Sequence, residues 1–543
     1  MPFLDWVNKN QAVTSASQVP YHLLQLEQTH GDADAAQQNL IIQGDNLQTL
    51  KALLPFYTGK VKCIFIDPPY NTGSAFEHYD DKLEHSQWLS LMYPRLVLLR
   101  ELLAEDGFFV VHLDDAESHY MKVMMDEVLG RVNYHTSLYV QVRYTDKTLK
   151  SAMAYHKQVE QALVYGKSQL SRPNRPQLKL EGFDKFEYQI IEKTEGKAIE
   201  LNGKPVIVFA ASEYKIVKVT GNVDGLKEIW ASGSILDGNS SGRFFRDYLT
   251  GRYEEDGFGV LYKVPNIGDD GLGYRYFTGP KKLGATKGKY YQGVPLGKRD
   301  LLQQVLDQPI ENFYDLSGAF GNCRMEGDVS FRSGKKPEDY LKSVLEFFTG
   351  ENDLVLDSFL GSGTTAAVAH KMNRRYLGIE MGEHAKTHCI PRLQKVIAGE
   401  QGGISKAVNW LGGGGFSFYT LGEAVFDANG HIAPSVRFNS LAAYIWLLET
   451  KTAISIQATK ANTPFIGEHE GVAYYLLYNG ILGDRRPNGG NVLTSQVFAY
   501  LNTVLPHTGK KVIFGEANRI GEAKLNALGV SFKQIPYELH ERI

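Results

Sequence analysis

The pattern of apolar and polar positions divides the chain into stretches of different texture. Asn39-Leu40-Ile41-Ile42-Gln43 reads as a strand stopping at Gly44-Asp45, after which Leu47, Leu50, Leu53 and Leu54 recur at helical spacing. Val61-Lys62-Cys63-Ile64-Phe65-Ile66 is a short apolar run, the mark of a strand buried on both faces. It ends at Asp67-Pro68-Pro69-Tyr70, where consecutive prolines remove ladder donors and forbid continuation. An amphipathic helix from Trp88 to Leu103 and another buried strand from Gly107 to Leu113 come next. Strand alternating with helix predicts a parallel, doubly wound sheet with helices on both faces.

From about 140 to 330 glycine, tyrosine, lysine and short β-like runs dominate, among them Lys204 to Phe209, Tyr214 to Val219 and Phe258 to Val264. This stretch reads as an inserted domain, partly β. The α/β pattern then returns. Pro337 to Phe348 is helical, Asp353 to Asp357 is a buried strand, and Phe359-Leu360-Gly361-Ser362-Gly363-Thr364-Thr365 is a tight turn opening a helix from Ala366 to Met372. Arg375 to Glu380 is the next strand. After the glycine run Gly412 to Gly415, a further region of mixed α/β texture begins near 435. The expected fold is therefore α/β: a Rossmann-like, doubly wound, mostly parallel sheet with an inserted α+β domain and a C-terminal α/β domain. The expected divisions are 1–139, 140–330, 331–434 and 435–543.

Composition narrows the classes. At 543 residues, 43% apolar and 22% charged, the chain is an ordinary globular protein of two or three domains. Cys63, Cys323 and Cys389 lie far apart with no CxxC pair, which supports neither a zinc site nor a disulfide framework and fits a reducing compartment. No metal site is expected. The N-terminus carries an early acid and no apolar core of a signal peptide, and no apolar run approaches the roughly 20 residues of a membrane span. A cytoplasmic protein is expected. The net charge of −3 and isoelectric point near 6.6 exclude a uniformly basic coat but not local basic patches.

Asp67-Pro68-Pro69-Tyr70, followed by Asn71, sits at the C-terminal end of a buried parallel strand, where open α/β sheets place ligands. An exocyclic amine on a nucleobase is a poor nucleophile, because its lone pair is delocalised into the ring. Accepting hydrogen bonds from both its N–H groups turns the nitrogen toward sp³. The Asp67 carboxylate and the Pro68 carbonyl could supply those acceptors, held rigid by the Pro-Pro pair, with Tyr70 as a platform for an extruded base. The plain alternative is a proline-rich turn capped by Asp67. In the second motif the glycines let a backbone pass close to a ligand, and Thr364 stands where a Walker A loop would need lysine. Glu380, nineteen residues beyond Gly361, would suit the ribose hydroxyls of an adenosine; a solvated strand end is the alternative.

Together, DPPY, FxGxG and an acid ending the next strand resemble the amino-methyltransferases that use S-adenosylmethionine. With DPPY first, FxGxG second and a variable domain between, the order resembles the β class of DNA methyltransferases. Gly44-Asp45-Asn46-Leu47, DPPYNTG, Gly-Pro-Lys-Lys at 279–282, Lys289 to Pro295 and Ser333 to Pro337 look like the Mod subunits of type III restriction–modification systems. The resemblance implies N6 methylation of a flipped adenine in duplex DNA, with 1–139 and 331–434 as halves of one core. It implies donor contacts from Asp45, Lys336, Pro337, Asp357, Phe359, Gly361, Gly363, Thr364 and Glu380. A homodimer and a separate Res-type ATPase and nuclease subunit are the partners it suggests.

Between those halves, 140–330 is the natural target-recognition domain. Asn71, Lys281, Lys282, Lys287, Lys289, Tyr290 and Tyr291 are the candidate DNA contacts, since lysines neutralise phosphate; a merely solvated charged face is the alternative. Region 435–543 is read as a dimerisation or partner-docking domain. Glu522-Ala-Lys524 resembles a fragment of a nuclease motif but fits an amphipathic helix better. Competing functions are N4-cytosine methylation, whose enzymes favour Ser at the Asp67 position, and a non-catalytic specificity subunit. Methylation of RNA or of protein glutamine is a third, more often tied to Asn-Pro-Pro-Tyr.

Overall fold

Six strands run parallel in the middle of a ten-stranded sheet. In spatial order they are Gly415–Ala424, Leu40–Gln43, Arg375–Glu380, Leu354–Asp357, Val61–Ile66 and Leu103–Leu113. His22–Gly31 closes one edge antiparallel to Gly415–Ala424, and Val159–Gly166, Tyr134–Gln141 and Phe313–Asp315 extend the other. The computed structural model describes residues 3–71, 84–146, 155–177, 183–231, 240–268, 270–284, 288–297, 307–331, 334–427, 429–454, 463–483, 491–504 and 506–540. Lys287, one of the candidate DNA contacts, lies outside the described residues.

Apolar residues cover both faces of the central strands, as a parallel sheet requires. Ile64, Ile66, Val111, Leu356 and Ile379 pack with Leu50, Leu53, Trp88 and Leu99 on one side. Ile41, Cys63, Phe65, Val110 and Val355 pack with Leu341, Leu345, Ala367 and Leu393 on the other. The helix Asn46–Tyr57 starts where Asp45 caps it, its Oδ1 accepting the Gln48 amide at 3.0 Å.

The strand order reverses direction at one place. From Val61–Ile66 the chain moves to Leu103–Leu113 on one side, and from Leu354–Asp357 it moves to Arg375–Glu380 on the other. Val61–Ile66 and Leu354–Asp357 are neighbours, with Val355 opposite Cys63 and Leu356 opposite Ile64. The crevice beyond their C-terminal ends is thus a topological switch point, the place where such sheets hold ligands.

Two compact units make up the chain: Met1–Asn174 with Glu311–Ile543, and Arg175–Ile310. The second is narrower than the expected insert of 140–330. Residues 159–166 pair with Leu103–Leu113 and so belong to the central sheet, as do 134–141 and 313–315. Arg175–Ile310 carries a six-stranded antiparallel sheet, ordered Lys227–Ala231, Gly288–Gln292, Tyr274–Thr278, Leu261–Pro265, Lys204–Phe209, Lys197–Leu201. The region after 435 has its own four-stranded sheet but shares the first unit. Its helix Phe438–Thr450 contributes Leu441, Tyr444 and Ile445 to a cluster that also holds Tyr21 and Phe56. Among the described residues, no helix is long and apolar enough to cross a membrane.

Candidate active site

At the switch point the two sequence motifs meet. Asp67 follows the last residue of Val61–Ile66, and Asp357 ends the adjacent strand. Lys336, 269 residues from Asp67, reaches it: Nζ lies 2.5 Å from Asp67 Oδ2, with side chains 8% and 17% exposed. The other carboxylate oxygen, Oδ1, is buried with no hydrogen-bond partner. An unpaired buried acceptor is costly, so in a strand-end crevice it marks a place where a donor is expected. The Pro-Pro turn is fixed by Trp88, whose Nε1 donates to the Pro69 carbonyl at 2.8 Å, leaving the Pro68 carbonyl outside that bond.

Tyr70 is held by groups that the sequence did not mark. Its hydroxyl donates to Glu160 Oε2 at 3.1 Å, and that oxygen is also 2.7 Å from His112 Nε2. His112 Nδ1 faces the Tyr340 hydroxyl at 2.7 Å. The Tyr70 and His112 rings lie 6.3 Å apart and within 27° of parallel, and Lys336 Nζ sits 5.1 Å from the Tyr70 ring centre. Burial, with Asp67 and Glu160 adding to it, keeps Tyr70 a neutral phenol. Burial alone would raise Glu160, but the His112 hydrogen bond and charge, Lys336 and the Tyr70 hydroxyl outweigh it and hold the carboxyl at about 2. A periodic signal for these residues existed. Glu160 shares a strand face with Ala162 and Val164, and His112 shares one with Phe108 and Val110, all core residues. A polar side chain ending an apolar face of a buried strand needs a partner.

The glycine turn has the backbone its sequence suggested. Gly361 and Gly363 take φ of 58° and 82°, and Gly363 precedes the helix Thr364–Lys371. Asp357 supports the turn: Oδ1 accepts the Phe359 amide at 2.9 Å and Oδ2 the Thr365 hydroxyl at 2.6 Å. Burial pushes its carboxyl up to about 7 against those two hydrogen bonds, with Asp67 and Glu380 adding to the rise. Ser358 Oγ is a second buried oxygen without a partner in this crevice. Glu380 ends its strand but is not a solvated end. It is 3% exposed, Oε2 accepts the Gly361 amide at 2.7 Å, and Oε1 accepts the Gly382 amide at 3.0 Å beside His384 at 2.9 Å.

Several expected contacts are placed differently. Thr364 points inward: its hydroxyl accepts from Arg392 Nη1 at 2.7 Å, and Arg392 Nη2 pairs with Glu338 at 2.8 Å, both fully buried, with Lys371 on the other Glu338 oxygen at 2.7 Å. That side chain braces the helix start from beneath. Lys336 meets Asp67, while Pro337 precedes the helix Glu338–Phe348 as its cap residue. Asp45 caps a helix and pairs with Arg95 at 3.2 Å. Asn71, at φ 56°, donates to the buried Glu117 at 2.9 Å. In the second unit Tyr290 and Tyr291 are core residues at 3% and 2% exposure, because alternate positions of an inner strand with both faces covered are buried. Lys289 pairs with Glu228 at 2.5 Å, and only Lys281 and Lys282 of the described lysine candidates are exposed. Among the described residues, no group of three His, Cys, Asp or Glu side chains could hold a metal ion.

The chain is similar in sequence to known proteins. The chain is 35% identical over 418 residues to the "Probable type III restriction-modification enzyme HindVI Mod subunit" of Haemophilus influenzae, covering 72% of this chain and 55% of that one. It is 27% identical over 422 residues to the "Type III restriction-modification enzyme EcoPI Mod subunit" of Escherichia phage P1, covering 69% and 62%. To the StyLTI Mod subunit of Salmonella typhimurium it is 26% identical over 405 residues, covering 68% and 56%. The chain thus spans between 55% and 62% of the length of these curated relatives. The family model described as DNA methylase matches residues 61–390, which include Asp67, Tyr70, Glu160, Lys336, the glycine turn and Glu380. With that match extending over more than half of its length, the chain belongs to the DNA methylase family.

Proposed function

We propose that this chain is a site-specific DNA methyltransferase that places a methyl group on N6 of an adenine turned out of the duplex, with S-adenosylmethionine as donor. The observation that carries the reading is Asp67 Oδ1, a buried acceptor without a partner beside a glycine turn at the switch point. The donor, when bound, supplies an electrophilic methyl on a positively charged sulfur. The crevice suits such a cation, since Asp67, Glu160, Asp357 and Glu380 gather there against Lys336. Asp357, Phe359, Gly361, Gly363 and Glu380 would hold the donor. The unpartnered Ser358 hydroxyl is a further polar group available to it.

The chain's own residues would then prepare the amine. Asp67 Oδ1 and the Pro68 carbonyl accept its two N–H groups, which directs the nitrogen lone pair away from the ring. Tyr70 stacks on the flipped base, an interaction worth about 1–3 kcal/mol per base. As the nitrogen gains the methyl carbon, the methyl–sulfur bond would break with its electron pair kept by the sulfur, and the nitrogen sheds one proton on the side where those two acceptors sit. Arg175–Ile310 would read the target sequence, with Lys281 and Lys282 exposed for phosphate contact.

The relatives named as Mod subunits support a role as the modification component of a restriction–modification system, with cleavage supplied by a separate ATPase and nuclease chain. One experiment tests both parts. The chain is expressed in a host that lacks DNA methylation, and the host genome is sequenced with detection of modified bases. N6-methyladenine at a single short motif is expected, in cells that stay viable without a partner; Asp67→Ala abolishes the mark. N4-methylcytosine would overturn the choice of base, an unmodified genome would overturn the activity, and chromosome breakage would overturn the division of labour.

A further inference from the structure

We propose that Glu160 is a positioning residue for Tyr70: its carboxylate, clamped between His112 and the Tyr70 hydroxyl, fixes the ring on which the target base stacks. The inference rests on the reading of the site as base-methylating and adds a determinant that lies outside both sequence motifs. Glu160 sits near the start of Val159–Gly166, the antiparallel strand beyond Leu103–Leu113, with Ala162 opposite His112 across the ladder. The strand therefore fixes both members of the clamp relative to the sheet, whereas Tyr70 stands on a turn that has left it.

The geometry makes the dependence run one way. His112 is fully buried and is itself fixed at both nitrogens, by Glu160 at 2.7 Å and Tyr340 at 2.7 Å. His112 meets the Glu160 carboxylate at Nε2 and the Tyr340 hydroxyl at Nδ1, so these three groups are paired without Tyr70. The Tyr70 hydroxyl, in contrast, donates to Glu160 at 3.1 Å, with the Asp67 carboxylate beside it. Core packing and the neighbouring His112 ring limit where the Tyr70 ring can lie, and the bond to Glu160 selects its setting among those, which is the advantage of preorganisation. Hydrogen bonds to a charged acceptor are the stronger kind, and Glu160 remains anionic because its partners hold its carboxyl at about 2.

A structural role for Glu160, as mere partner of buried His112, predicts something different, and the full-length chain can separate the two. Single-turnover methyl transfer is measured on unmethylated plasmid DNA at saturating S-adenosylmethionine for wild type, Tyr70→Phe, Glu160→Gln, Glu160→Leu and the double variant Glu160→Leu/Tyr70→Phe. Donor affinity is measured by calorimetry. Tyr70→Phe keeps the ring and is expected to lose about tenfold in rate or more, the scale of one charge-assisted hydrogen bond. Glu160→Leu should lose as much, and Glu160→Gln, which keeps an acceptor oxygen, should recover most of it. The double variant should be no slower than the slower single variant, and donor affinity should stay within about twofold throughout.

A wild-type rate in Tyr70→Phe overturns the proposal, and this variant leaves Glu160 and buried His112 in place and removes a single hydroxyl. Rate losses that multiply in the double variant also overturn it, because Glu160 would then act independently of Tyr70. So would a parallel loss of donor affinity. An inactive wild type, or an active Asp67→Ala, would instead fail the underlying reading of the site, and the Glu160 series cannot produce either result.

Discussion

The Lys336–Asp67 pair makes a demand on stability that can be worked out from its geometry. At 2.5 Å and an effective dielectric constant of about 20, the Coulomb attraction is about 7 kcal/mol. Desolvation of two groups that are 8% and 17% exposed offsets much of that. Removing one member of a buried pair costs about 3–5 kcal/mol, chiefly because the other charge is left uncompensated. Since Asp67 keeps some contact with solvent, the lower end applies, and Lys336→Met should lower unfolding stability by about 3 kcal/mol. Asp67→Asn removes the orphaned charge, so in the Lys336→Met background it should cost far less than alone. The double-mutant cycle should show coupling of about 2 kcal/mol, within the range for contacting residues. Urea unfolding of the four proteins with unchanged m-values is the assay. Additivity within about 0.5 kcal/mol would refute the ion pair as an energetic unit. Additivity joined to a tenfold loss of S-adenosylmethionine affinity in Lys336→Met would return Lys336 to the donor-binding role that the sequence resemblance implies.

Two further outcomes follow from the glycine turn. Burial holds the Asp357 carboxyl near 7, above its ordinary 3.8, so the folded state favours the proton; that contribution is present in full below about pH 4 and is lost as pH rises through 7. Asp357→Asn stays neutral, so its stability relative to wild type should rise by about 2–3 kcal/mol between pH 5 and pH 8 in denaturant melts, and a pH-independent difference would refute the burial argument. Gly361→Val places a β-branched residue at φ 58°, a strain of about 1–3 kcal/mol, in the turn whose amide binds Glu380. Calorimetry should show at least a tenfold loss of S-adenosylmethionine affinity, and an unchanged affinity would count against a donor role for the turn.

How much of this was legible in the sequence depended on the range of the physics involved. Val61–Ile66, Leu354–Asp357 and Arg375–Glu380 were readable because doubly buried parallel strands are short apolar runs, and Pro68-Pro69 fixed where the first had to end. The helix expected from Trp88 begins three residues earlier, at His85, where Glu84 caps it by accepting the Ser86 amide at 3.2 Å. The edge strand His22–Gly31 was missed, because its pattern is mostly exposed and lacks an apolar run. That the second compact unit starts at Arg175 and not at the expected 140 has a related cause. Val159–Gly166 pairs antiparallel with Leu103–Leu113, and Tyr134–Gln141 pairs antiparallel with Val159–Gly166 in turn, and nothing in alternation along one strand says which sheet it joins. Lys289, Tyr290 and Tyr291 show the limit of composition. A lysine–tyrosine run suggests a nucleic-acid face, yet inner-strand geometry buries both tyrosines and gives the lysine to Glu228.

The site's carboxylates show why chemistry, unlike fold, had to wait for coordinates. Asp357 is a buried acid and Glu160 a half-buried one, both at the ends of sheet strands, and in sequence neither carries a sign of its state. Their surroundings drive them apart. Asp357 accepts only neutral donors, an amide and a hydroxyl, and has Asp67 and Glu380 as neighbours, so burial wins and the carboxyl rises to about 7. Glu160 has the His112 ring on one side and Lys336 within electrostatic reach, so burial loses and it falls to about 2. A permanently anionic Glu160 can anchor Tyr70 at any working pH, whereas Asp357 changes charge near neutrality beside the turn proposed to hold a cationic donor. Environments that separate the ionisation of like groups are how one crevice assigns them different tasks. Here the separation is made by His112 and Lys336, which precede and follow the inserted unit in the sequence and both act on Glu160 in the folded first unit.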